Sequence, residues 1–93
     1  MFIHLAIHRP HADKADLLID SMHRFGDAIR SQPGLREAHT LKDATSGALI
    51  GLAIWDSKES MLAARPAMQE AVKDDDFAAW EPAGPEIYHL IAV

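Results

Sequence analysis

The chain has 93 residues, nine Lys and Arg against fourteen Asp and Glu, a net charge of −5 and no cysteine. That length supports one domain, residues 1–93, burying only about 60 to 65% of the surface its unfolded form exposes; the acidic balance disfavours a nucleic-acid partner. Without thiols there are no disulfides, Cys-based zinc sites or cysteine nucleophiles.

Residues 1–8 alternate Ile3, Leu5 and Ile7 with Phe2, His4, Ala6 and His8, the period of two that puts successive side chains on opposite faces of a strand. Within residues 13–30, Ala15, Leu18, Met22, Phe25 and Ile29 recur at intervals of three and four, which predicts an amphipathic helix. Gly26 inside it costs about 1 kcal/mol relative to alanine and points to a close backbone approach or a weak spot. Ser31-Gln32-Pro33-Gly34 ends the helix. Residues 35–42 and 48–55 have strand spacing and flank the turn-forming residues 43–47, so they predict a hairpin. Asp56-Ser57-Lys58-Glu59 resembles a capping box, Asp56 at the N-cap with Glu59 three residues on, and opens a helix carrying Met61, Leu62, Met68 and Val72. Pro66 predicts a kink or restart near residues 64–66. Asp74-Asp75-Asp76 precede a short helical stretch, residues 77–80, and are assigned to capping rather than to a cation site. After the breakers Pro82-Ala83-Gly84-Pro85, residues 86–93 form the last strand.

The order is βαββαβ, a ferredoxin-like α+β fold with a four-stranded antiparallel sheet and two helices on one face. Both faces of residues 48–55 are apolar, so the sequence leaves open which face meets the helices. Either choice exposes an apolar sheet face, which predicts a homodimer formed face to face across a two-fold axis. The longest apolar run, residues 48–55, is far shorter than the roughly 20 residues that span a bilayer, and Met1 onward reads as strand rather than as a cleavable leader. The expectation is a cytoplasmic protein with no membrane partner.

The element order, the Pro33-Gly34-Leu35 turn and the stretch Gly-Leu-Ala-Ile-Trp-Asp-Ser-Lys-Glu at residues 51–59 together resemble the antibiotic biosynthesis monooxygenase (ABM) domain of the dimeric α+β barrel superfamily. The resemblance implies a homodimer with a cavity between sheet and helices in each subunit. It also implies, as in some members, oxidation of anthrone- or quinol-type molecules by oxygen with no metal or flavin cofactor. Other members degrade haem, using an Asn in the first strand, a Trp in the second helix and a His just after it. Here His8 occupies the first of those places and Trp80 lies near the last, a mismatch that argues against haem.

His4 and His8 share a strand face but stand roughly 13 Å apart, and no histidine pair has a spacing suited to metal binding on its element. No metal site is expected. His4, His8, His39 and His89 all lie on predicted strands, either as rim or hydrogen-bonded core residues or as the polar lining of a small-molecule pocket. Under the second reading His4, flanked by Phe2 and Ala6, is the proton acceptor, and Tyr88 or another histidine steadies the resulting anion. His8, His39 and His89 would then contact a small aromatic ligand, and Trp55, Phe77 and Trp80 would stack on it. The expected function is a cofactor-independent monooxygenase. A non-catalytic small-molecule-binding or accessory protein is the alternative, and an isomerase on the same fold a third possibility.

Overall fold

Local patterning sorts the chain into four strands and three helices. In a computed structural model describing residues 1–93, these are β1 (Phe2–His8), α1 (Ala15–Ile29), β2 (Leu35–Lys42), β3 (Leu49–Trp55), α2 (Lys58–Val72), α3 (Phe77–Trp80) and β4 (Glu86–Ile91). The strands pair antiparallel in the order β2-β3-β1-β4, which is the ferredoxin-like arrangement. Register follows from β1 at the centre: His4 lies opposite Ala53 and His89, and Ala6 opposite Gly51 and Ile87.

The helices cover the face that carries Phe2, His4, Ala6 and His8. At one end Phe2, Ala53 and Trp55 pack with Ile29 of α1 and with Met61, Ala64 and Met68 of α2. At the other end Leu49 packs with Leu18 and Met22. Between these clusters the sheet presents Ala6, Gly51 and the imidazole of His4, too little side-chain volume to fill the space beneath two helices. The core is therefore divided, and a cavity separates its halves. Trp55 is fully buried and its Nε1 has no acceptor, an omission costing about 1–3 kcal/mol; packing alone holds the ring.

The opposite sheet face carries Ile3, Leu5 and Ile7 of β1 beside Leu41, Leu52 and Leu90 of its neighbours. Leu41 is 44% exposed and Leu90 41% exposed. This resolves the ambiguity of the third strand: Leu49, Gly51, Ala53 and Trp55 point to the helices, and Ile50, Leu52 and Ile54 point away. No helix is long and apolar enough to cross a membrane.

Three local expectations are corrected. The first helical turn, Ala12–Lys14, is a 3-10 turn and α1 starts only at Ala15, since neither His11 nor Lys14 offers a capping side chain. The N-cap of α2 is Ser57, not Asp56: the Ser57 hydroxyl accepts from the Ser60 N–H at 3.2 Å, while Asp56 is drawn away to the Arg36 guanidinium. The α2 helix also runs through Pro66 without a restart. Pro66 and Leu62, the residue whose carbonyl its ring displaces, both lie on the exposed side, where water can satisfy that oxygen. At the β2 entrance Gly34 has φ 87°, and any side chain there would strike Ser60.

Gly26 marks neither close approach nor contact, because a methyl group at its Cβ position would meet nothing within 4 Å. Helix propensity then decides the effect of substitution. Gly26→Ala should stabilise the protein by about 0.5–1 kcal/mol, seen as a higher urea midpoint at unchanged slope. A lower midpoint would show that α1 needs the glycine backbone.

Candidate functional site

The cavity between the inner sheet face and helices α1 and α2 has a volume of about 770 Å³, in the range of small-molecule sites. Small residues make it: Ala6 and Gly51 form its floor, and Gly26 leaves its helical wall open. Ile87 also borders it, from β4, an edge strand whose six residues are all exposed.

Two imidazole systems line it. His4, in the middle of β1, has Nδ1 3.2 Å from Nε2 of His89, with ring centroids 5.0 Å apart. His89 in turn stacks on Phe2 at 5.4 Å. Burial pushes the His4 pKa below its ordinary value, and the charges of His89, Arg65 and His8 push it the same way, so the neutral ring prevails at pH 7. One proton is shared between the facing nitrogens, and whichever ring donates it leaves the other as acceptor.

The depressed His4 pKa has a thermodynamic consequence. As pH falls below about 6.5, unfolded chains protonate this histidine before folded ones do. Stability contributed by neutral His4 is full above the unfolded pKa and lost as pH falls through the folded one. The urea midpoint should therefore decline with acidification below about pH 6.5, and His4→Gln should flatten that decline. An unaltered slope in the variant would remove His4 as its source.

The second system joins His8 to Glu81. Nδ1 of His8 lies 2.8 Å from Oε2 of Glu81, whose Oε1 accepts the Arg9 N–H, also at 2.8 Å. Glu81 is only 4% exposed. Its position comes from α3: the Asp76 side chain caps that turn by accepting from the Ala79 N–H, and the His11 N–H donates to the Trp80 carbonyl at 2.9 Å. Asp75 ties the same segment to α1 by accepting from Ser21 at 2.6 Å and Arg24 at 2.9 Å. Short-range pattern reading misses Glu81, since 73 positions separate it from His8; the only local signal is an acid placed directly after an apolar helical turn.

No protein-family profile matches the chain, and no curated protein matches its sequence. Solved structures do match its fold. The Mycobacterium tuberculosis protein Rv0793 superposes with a TM-score of 0.85 at 15% identity, over 99% of this chain and 94% of that one. A Deinococcus radiodurans protein named as a candidate antibiotic biosynthesis monooxygenase gives 0.83 at 18% identity, over 100% and 93%. One from Chloroflexus aurantiacus with the same description gives 0.75 at 22% identity, over 99% and 92%. The chain shares the fold of these proteins. At these identities the likeness speaks to architecture, and the chemistry rests on the residues in the cavity.

The fold brings some of the predicted site residues together and parts others. His4, His8 and Phe77 border the cavity, and His89 joins them through His4. Tyr88 shares the outer face with Leu5, and its hydroxyl donates to Glu86 at 2.9 Å, a bond that raises the phenol pKa. His4 and Tyr88 therefore stand on opposite sides of the sheet. His39 borders the cavity at its β2 edge, but its register places its ring on the outer face beside Leu52, 3.5 Å from Glu37. Trp55 lies in the closed core. Trp80 packs on the Leu18, Met22 and Leu49 cluster and meets Phe77 edge-on at 5.6 Å.

Proposed function

We propose that the protein is a cofactor-independent monooxygenase for a small anthrone- or quinol-like aromatic molecule held in the cavity between sheet and helices. It would work as a homodimer closed over the outer sheet face. The observation that carries the reading is an apolar cavity of about 770 Å³ with a neutral imidazole, His4, backed by a second one at 3.2 Å. The apolar outer face, with nothing of this chain upon it, supports the dimer.

The chemistry makes few demands on the protein. His4 takes the proton from the activated carbon, and the imidazolium formed donates to His89. The carbanion passes one electron to oxygen, and the radical pair recombines while both partners are held in the cavity. The imidazolium formed on His4 is the cation that steadies the anion, while His8, whose Nδ1–H donates to Glu81, presents Nε2 as an acceptor. Protonation of the resulting peroxide by His4, followed by loss of water with the second C–H proton, leaves a carbonyl. The balance is one CH₂ and one O₂ to one C=O and one H₂O. Tyr88, on the far face, has no part in it.

The test is anthrone under ¹⁸O₂. The reading requires oxygen uptake above the uncatalysed background and one labelled atom in anthraquinone. Thermal stabilisation by anthrone with no uptake would instead assign a binding or accessory role.

A further inference from the structure

Of the arginines, Arg9, Arg24, Arg30 and Arg36 each rest against a carboxylate, those of Glu86, Asp75, Asp27 and Asp56. Arg65 borders the cavity and has no such partner. It lies one turn beyond Met61 on α2, beside the buried stripe of Met61, Ala64 and Met68, so its backbone is held by the core while its guanidinium stays free. The acidic groups that border the cavity, Glu81 and Asp27, are already engaged, the first by His8 and the Arg9 N–H, the second by Arg30. In a chain of net charge −5, an unpaired arginine at the wall of an apolar cavity has no complement within the protein. Arg65 itself is exposed on α2, at the cavity wall formed by that helix, and its charge is felt by His4.

We propose that the cavity selects aromatic molecules bearing a carboxylate, which the Arg65 guanidinium receives while the ring system lies over Ala6 and Gly51 beside His4. The proposal rests on reading the cavity as a ligand site and adds to it the substrate class. A guanidinium offers paired N–H donors matched to the two oxygens of a carboxylate, which a neutral phenol cannot engage. Two fused rings with one carboxylate suit a cavity of about 770 Å³.

The experiment compares 6-hydroxy-2-naphthoate with 2-naphthol, which share a ring system and differ in the carboxylate, by calorimetric titration of the wild-type protein. The acid should bind at least about tenfold more tightly, the scale of one charge-assisted bidentate contact. In Arg65→Gln the ratio should collapse towards one with 2-naphthol affinity unchanged, and Arg65→Lys should keep part of it. Glutamine is a good helix former at this exposed position, so folding is not at stake. Equal affinities in the wild type, a ratio that survives Arg65→Gln, or no binding of either probe at millimolar concentration would each overturn the proposal. Acid preference without oxygen uptake would sink only the monooxygenase reading, whereas uptake from anthrone without acid preference would sink only this one.

Discussion

His4→Ala is expected to lower oxygen-dependent turnover of anthrone by about 10²- to 10⁴-fold, the usual contribution of a positioned proton acceptor. Ligand binding should change far less, because the floor formed by Ala6 and Gly51 remains. The imidazole is the group that must change protonation state during the reaction, and burial keeps it neutral and ready to accept. His89 stabilises the proton once accepted, through the 3.2 Å contact. His89→Gln should therefore give a milder loss and shift the pH profile of turnover, as a positioning residue does. Circular dichroism guards against misfolding. Turnover that survives His4→Ala in a folded protein would transfer the role of base to His8, which the buried Glu81 carboxylate backs in the same cavity.

Leu52→Glu is expected to convert a dimer into monomers. Leu52 sits at the centre of the outer face, opposite Leu5 on one side and His39 on the other, so a two-fold contact between sheets would bring both copies of the new carboxylate into an apolar interface. Burying unpaired charge costs several kcal/mol, and each 1.4 kcal/mol is a factor of about ten in dissociation constant; a loss of at least about a thousandfold follows. In sedimentation equilibrium the wild type should show twice 10.2 kDa and the variant a single chain. The substitution alters a face that no helix touches, so the isolated fold should survive it. A monomeric wild type, or a variant that still dimerises, would leave the outer face without this partner.

Glu81 and Tyr88 show how far the site was legible. A histidine in β1 and the acid that holds it are brought together by the docking of α3 against the end of β1, an interaction between segments with no shared periodicity. Tyr88 and His89 are adjacent in sequence, yet strand alternation puts them on opposite faces, and only His89 reaches His4. Composition told of aromatics and imidazoles without saying which would meet. Even the cap of α2 moved by one residue, because Asp56 had a competing partner in Arg36, which pattern reading of the local segment does not include.

The sequence by itself determined the element order, the βαββαβ class and the existence of an apolar sheet face with no cover. These depend on periodicities of 2 and 3.6 residues and on breakers, which act between near neighbours. The tertiary structure decided which sheet face the helices cover, where the core divides to leave a cavity, and which charged groups find partners. Those outcomes depend on volume and charge summed over segments far apart in the chain: Ala6 and Gly51 leave space only because two helices span it, and Arg65 has no carboxylate partner while the two acids that border the cavity are held by His8 and Arg30.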